Sequence, residues 1–357
     1  MPHKRLFIPG PTEVRSENLA ALSRPQVGHR SAEFKALYAS VIPKLRKLLG
    51  TDGKVLLFTS SSTGVWEAAI RNCVKDRVLC CMQGAFSDRW LRVAESNGKQ
   101  AGELKVEWGQ AITAEMIDKE LAKGGYDAIT VVHNETSTGV TNRLDEIAAV
   151  MRKYPDVSFL VDAVSSMAGT RIDVDELGID ICLAGLQKAF SLPAGLAVAS
   201  VSQRALEKAA TVENRGYYFD LLEIARYDDK GMTPSTPAIP QIQALDAQLD
   251  DFFAEGLEAR FARHAFLADI VRGWARKHFA LFAAEGYESP TVTCVENTRG
   301  VSIADLNEKL AEQWVMISNG YGVLKEKTFR VAHMGDTQEW EIRGLLATID
   351  RILELDG

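Results

Sequence analysis

Between residues 50 and 200, short apolar runs alternate with longer stretches whose apolar residues recur every three or four positions. VLLF (55–58), RVLCCM (77–82), AITVV (128–132), SFLVD (158–162), ICLAG (181–185) and LAVASV (196–201) read as strands apolar on both faces. Between them, GVWEAAIRNCV (64–74) and LDEIAAVMRKY (144–154) carry helical spacing. The alternation predicts an α/β fold, a mostly parallel sheet sandwiched by helices. From 240 to 278 the pattern turns long and helical. Strand-like PTVTCV (290–295) and TFRVA (328–332) follow, with helical SIADLNEKLAEQ (302–313) and TQEWEIRGLLATIDRILEL (337–355). We divide the chain into an N-terminal segment 1–15, a large domain 16–245 and a smaller C-terminal α+β domain 246–357.

Composition narrows the classes. With 357 residues, 46% hydrophobic and 25% charged, the chain is of ordinary globular make-up and can bury a sizeable core. A net charge of −7 without a basic cluster argues against a nucleic-acid partner. No apolar run is long enough for a membrane span, and the opening MPHKRLFIPGPTEV lacks a signal-peptide core. The expectation is a cytoplasmic protein without a membrane partner. Cys73, Cys80, Cys81, Cys182 and Cys294 mostly sit in apolar runs and form no CxxC. They read as buried thiols, not as a disulfide set or a zinc site, and no metal is expected.

Ligands of a parallel sheet collect at the carboxyl ends of its strands. After VLLF comes TSSSTG, hydroxyls and a glycine at a helix start, suited to a phosphate; Ser62 or Thr63 could equally be a plain helix cap. After SFLV comes Asp162, a carboxylate that is costly to bury unless it meets a cation or good donors. It could also be a structural cap or a magnesium ligand. After ICLAG comes Lys188, an ammonium that a buried strand has no use for. An anion site, a buried acid and a lysine on one sheet edge together suit pyridoxal 5'-phosphate. Its phosphate fits the helix start, its ring nitrogen pairs with an acid, and its aldehyde condenses with a lysine amine.

With these residues on the page, the chain resembles the class V, fold-type I aminotransferases that use pyridoxal phosphate, most closely the alanine–glyoxylate/serine–pyruvate group. FIPGPTEV (7–14), GHRSAEF (28–34), TSSSTGVWEAA (59–69), GAFSDRW (84–90), HNETSTGV (133–140), VDAVSS (161–166), GLQKAF (185–190) and FRVAHMG (329–335) carry the likeness in order. It implies that Lys188 holds the cofactor and moves the proton, while Asp162 pairs with the ring nitrogen. Val164 would pack under the ring, Phe86 stack over it and Thr136 lie near its phenolic oxygen. Ser61, Ser62 and Thr63 would hold the phosphate with Gln187 beside it. Arg330 would grip the substrate carboxylate, with Gly28 also at the substrate. Thr236 would reach the neighbouring subunit's cofactor, which implies a homodimer. Two departures stand out: Ser62 replaces the glycine common in the phosphate loop, and Thr233 replaces a tyrosine found in some relatives.

The implied reaction moves an amino group from a small L-amino acid, alanine or serine, to glyoxylate or pyruvate. The same chemistry on phosphoserine, aminoethylphosphonate or ureidoglycine is left open. A second substrate anion would want another cation beside Arg330, and Arg30 could supply it. A cysteine desulfurase would need an exposed thiol, whereas Cys294 lies in an apolar run. A non-catalytic binding protein would be expected to lack Lys188, Asp162 or Arg330. A nucleotide-binding oxidoreductase would need a GxGxxG turn, and none is present. His29 and His333 read as structural or pocket-lining, His133 as lying behind the ring site, and His3, His264 and His278 as surface residues.

Overall fold

The computed structural model describes residues 3–355. Seven strands make the large sheet, in the order 54–58, 197–201, 181–185, 158–162, 128–132, 77–82 and 100–105. All pairings are parallel except those of Ala197–Val201, which runs antiparallel to both neighbours. Alternate side chains feed two cores, as the two-residue period of a strand requires. Val55 and Leu57 face one layer with Phe34, Leu45, Ile147 and Ile242. Leu56 and Phe58 face the other with Val65, Trp66, Ile70 and Trp90. Because helices cover both faces, the strands read as unbroken apolar runs.

The exception is Gln100–Lys105, an edge strand not expected from the sequence. It has one neighbour, and its QAGELK pattern is largely exposed or half-buried, so it lacks the apolar signature of the interior strands. The helical stretch expected over 240–278 is two helices, Ile239–Glu255 and Leu257–His278. They break at Gly256, whose φ of 86° is readily reached only by glycine. Ile242, Leu245, Leu249 and Phe252 of the first pack into the large sheet's core. Leu267, Val271 and Ala275 of the second join Val295, Phe329, Val331 and Leu345 in a separate cluster.

That cluster lies against a four-stranded antiparallel sheet, in the order 280–281, 292–296, 328–332 and 318–319. The beginning of the chain belongs to this part of the molecule. Arg5–Leu6 pairs in parallel with Val315–Met316, the Phe7 carbonyl accepts the Ala332 N–H at 2.9 Å, and the Phe7 ring is buried in the small cluster. The segment then crosses to the large sheet, where Thr12 donates its N–H to the Gln187 carbonyl at 3.1 Å and its hydroxyl to that of Lys188 at 2.8 Å. Among the described residues, no helix is long and apolar enough to cross a membrane.

Candidate active site

A cavity of about 150 Å³ opens at the carboxyl ends of the strands ending at Phe58, Val132, Asp162 and Gly185. Ser61, Ser62, Thr63, Phe86, Thr136, Asp162, Val164, Gln187 and Lys188 line it. These residues come from several loops, and the parallel sheet brings them to one edge. A wider cleft of about 620 Å³, between Arg71, Lys75, Lys99 and Asn214, contains none of them.

Lys188 lies under the N-terminal segment. Its ammonium donates to the Pro9 carbonyl. Gly10, at φ 125°, packs so closely that a Cβ there would fall 2.7–2.8 Å from the lysine's Cδ, Cε and Nζ. Burial, and then the charge of Arg330, press the amine down to about 8, with Asp162 pulling the other way. At neutral pH roughly a tenth of such an amine is unprotonated and able to attack a carbonyl.

Asp162 ends its strand, where it is 3% exposed. Its Oδ1 accepts the Val164 N–H at 2.7 Å and its Oδ2 the Trp66 indole N–H at 3.0 Å. Burial nevertheless pushes the carboxyl up to about 7, and nearby Glu135 adds to the rise. Two donors do not offset this desolvation, and a cation at the free face of the carboxylate would.

At the other end of the cavity, the helix Ser62–Cys73 begins without a side-chain cap bond from Ser61. The Ser62 hydroxyl is buried and has no partner among the described residues. Gly185 opposite leaves room for that hydroxyl, which a Cβ would strike. An unfilled helix N-terminus with an orphaned hydroxyl is what a phosphate needs. Thr136 shares a short hydroxyl contact with Ser165. The residues present therefore fit pyridoxal phosphate at both ends.

Phe86 is held by a group that sequence reasoning did not single out. Glu135 is fully buried; its carboxylate accepts the backbone N–H of Ser87 at 3.0 Å and of Phe86 at 3.4 Å. It also accepts the hydroxyls of Ser87 and Ser137, at 3.1 and 2.6 Å. It thus serves as an external cap for the helix Ala85–Ser96. Glu135 and Trp66 both lie inside quoted motifs, but their partners are distant in sequence, so no local pattern announced these roles.

Arg330 sits in the strand Thr328–Ala332 at 7% exposure. Among the described residues its guanidinium reaches only carbonyls, that of Asn319 at 3.2 and 3.3 Å and that of Thr136 at 3.3 Å. Burial lowers its pKa from the usual arginine range. Its ring neighbour is Tyr321, 5.5 Å from the guanidinium carbon. Gly28 and Thr236 do not reach the cavity within one chain; both are exposed, and Thr236 lies near Thr59 and Tyr218 on the outside of the phosphate loop. Arg30 is not beside Arg330. It donates to the carbonyls of Thr233 and Pro234, at 2.5 and 2.8 Å. Besides Lys188, the cation that lines the cavity among the described residues is Arg89.

Two histidines differ from expectation. His264 is fully buried, its Nδ1 at 2.8 Å from the Arg260 carbonyl and its Nε2 accepting the Gly335 N–H at 2.9 Å; His278 is also buried. Both fall on the inward face of Leu257–His278, whose apolar stripe is too weak in sequence to show which face is inward. His333 is buried with Nε2 at 3.0 Å from the Thr293 hydroxyl, and its pKa is pushed down to about 3. All five cysteines are buried, and Cys294 is pushed up to about 11, which leaves no reactive thiol at the cavity.

Comparison with known proteins agrees with this geometry. Residues 13–335 match the model of the family described as aminotransferase class-V. An uncharacterized aminotransferase of Methanocaldococcus jannaschii is 37% identical, over 98% of this chain and 93% of the relative. A serine–glyoxylate aminotransferase of Methylorubrum extorquens is 33% identical, over 99% and 91%. The crystal structure of an alanine–glyoxylate aminotransferase from Nostoc sp. superposes with a TM-score of 0.93 at 26% identity, covering 99% of this chain and 96% of that one. The fold is that of the type I aminotransferases, and the chain belongs to the class-V aminotransferase family, whose members work with pyridoxal phosphate.

Proposed function

We propose that this enzyme binds pyridoxal phosphate on Lys188 and transfers the amino group of a small L-amino acid, alanine or serine, to glyoxylate or pyruvate in the cytoplasm. One observation carries the reading. Lys188 with its lowered pKa and the buried carboxyl of Asp162 line one cavity, and Arg330, without a carboxylate partner among the described residues, donates to the carbonyl of Thr136 in the cavity wall. The names of the relatives from Methylorubrum and Nostoc supply glyoxylate as the acceptor.

Bound there, pyridoxal phosphate supplies an electron sink for the carbon that gives up its proton. The chain's own groups do the rest. Lys188 would hold the cofactor, and its amine would be the group that moves the proton at the donor's α-carbon. Its lowered pKa suits both directions near neutral pH. Asp162 keeps a proton on the ring nitrogen, fixed in direction by Trp66 and the Val164 N–H. The helix start at Ser61, Ser62 and Thr63 holds the phosphate, with Gln187 alongside. Phe86 and Val164, which line the cavity, would pack against the cofactor ring and exclude water. Arg330 can turn from its long carbonyl contacts to grip the α-carboxylate with two parallel hydrogen bonds. In a homodimer, Thr236 of the partner subunit would reach the phosphate and Gly28 of the partner subunit the substrate, which accords with their exposure in a single chain.

The test is an absorbance spectrum of the purified protein, followed by additions of L-alanine and L-serine and then of glyoxylate. The expected result is a yellow band that a donor bleaches and glyoxylate restores. Lys188→Ala should lose this restorable cycle. A colourless protein that takes up no pyridoxal phosphate would overturn the reading.

A further inference from the structure

Arg89 and Tyr321 form a pair at the cavity that no step above uses. Arg89 lies on the first turns of the helix Ala85–Ser96 and lines the cavity. Its Nη2 donates to the Tyr321 hydroxyl at 2.8 Å, and its guanidinium carbon stands 5.3 Å from the centre of the Phe86 ring. Among the described residues it has no carboxylate partner. Tyr321 comes from the small sheet's side of the molecule, between the strand Ser318–Asn319 and the strand of Arg330. Its ring lies 5.3 Å from that of Phe86 and 5.5 Å from the Arg330 guanidinium carbon. Tyr321 thus touches both the residue placed over the cofactor ring and the residue placed on the α-carboxylate.

The hydrogen bonding has a direction. An arginine only donates, so the Tyr321 oxygen accepts from Arg89 and the phenol's own proton is left to donate elsewhere. No acceptor takes it among the described residues. Arg89 likewise keeps N–H groups beyond the one it gives to Tyr321. A donor gripped by Arg330 under Phe86 therefore meets hydrogen-bond donors near its side chain, without a carboxylate of the protein to compete for them. The cavity of about 150 Å³ leaves little room for a long side chain.

We infer that Arg89 and Tyr321 form the side-chain subsite of the amino donor, selecting a short side chain that ends in a hydrogen-bond-accepting oxygen. This rests on the transaminase reading above and adds to it a preference over alanine. Two sources share that chemistry, the hydroxyl of serine and the second carboxylate of aspartate. A site built to satisfy such an oxygen discriminates strongly against the analogue lacking it, because its polar groups are otherwise left unpaired.

The experiment compares kcat/KM for L-serine, L-aspartate and L-alanine with glyoxylate, in the wild-type holoenzyme, Tyr321→Phe and Arg89→Gln. Alongside, calorimetry measures the binding of 3-hydroxypropionate, succinate and propionate, which present the same side-chain ends without an amine. Wild type should favour serine or aspartate over alanine. In Tyr321→Phe that preference should fall by about tenfold, and 3-hydroxypropionate or succinate should lose the same factor against propionate. A fall mainly for aspartate and succinate in Arg89→Gln identifies the carboxylate, and a fall mainly for serine and 3-hydroxypropionate in Tyr321→Phe identifies the hydroxyl. Preferences unchanged within about twofold in both variants, whatever the absolute losses, would show a purely architectural pair and overturn the inference. Turnover of none of the donors by wild type would instead overturn the transaminase reading on which it rests.

Discussion

Lys188 and Asp162 each depart from ordinary titration for a cause that can be removed one residue at a time. After burial, the next influence lowering the Lys188 amine is Arg330. Replacing Arg330 with leucine takes away a positive neighbour, so the amine should hold its proton to higher pH. Borohydride trapping of pyridoxal phosphate on the cofactor-free protein should show a midpoint near 8 in wild type and a higher one in Arg330→Leu; an unmoved or lowered midpoint would contradict the assignment. Asp162 shifts the other way. The folded chain keeps its proton up to about 7, while the unfolded chain releases it near the ordinary value of about 3.9. Its contribution to the stability of the cofactor-free protein is therefore full below about pH 4 and is lost as pH rises through 7. Asp162→Asn removes that loss. In urea melts, the variant should gain on wild type between pH 5 and pH 8, by roughly 2.5 kcal/mol. An equal gap at both pH values would rule this out. Lys188, Asp162 and Arg330 were legible in the sequence because a charge at the end of an apolar run is conspicuous. Trp66, Glu135 and Arg89 were not, because their significance lies in partners that the chain brings together only on folding.

Among the elements, the helix Ala85–Ser96 depends most on a residue outside itself. Its opening N–H groups and the Ser87 hydroxyl converge on the Glu135 carboxylate, and a Cβ on Gly84 would meet that carboxylate's stem at 2.5 Å. Glu135→Ala leaves those donors buried without an acceptor and should cost roughly 2–3 kcal/mol. Because Phe86 sits on the same turn, cofactor affinity should fall with stability, which fluorescence titration with pyridoxal phosphate reads directly. Unchanged affinity in a destabilised variant would separate the helix cap from the site. The interior strands could be read almost to the residue, since TFRVA and ICLAG are the strands Thr328–Ala332 and Ile181–Gly185. The edge strand Gln100–Lys105 and the break at Gly256 could not. The first is too polar to differ from a loop, and a single glycine inside a helical pattern is as often tolerated as obeyed.

At the scale of the whole molecule, one buried guanidinium joins the three segments that carry the chemistry. Arg260 is 1% exposed and lies 3.8 Å from the Phe252 ring centre. It donates to Ala168 in the loop after Asp162, at 2.9 Å, and to Ala189 next to Lys188, at 2.8 Å. It also pairs at 2.9 Å with Asp336, a short way beyond the strand of Arg330. Arg260→Met should cost about 3–5 kcal/mol in a denaturant titration, because it strands two buried carbonyls and takes from Asp336 one of its cations, leaving it Arg15 and Gln248. A loss under 1 kcal/mol would show that water or a neighbour replaces it. The sequence showed strand–helix alternation and hence the fold class, yet nothing in it marked Arg260 among so many surface arginines. The segment over Lys188 carries a further consequence, for the order in which the chain is made. Residues 5–12 leave the ribosome well before their partners, Val315, Met316, Ala332, Gln187 and Lys188. Strand and carbonyl cannot pair until residues 315–332 have been synthesised, so the roof of the lysine is made about 300 residues ahead of the strands that fix it and is set in place late. Until then Lys188 is uncovered on a growing chain, and cofactor captured at that stage would be sealed in when Pro9 and Gly10 close over it.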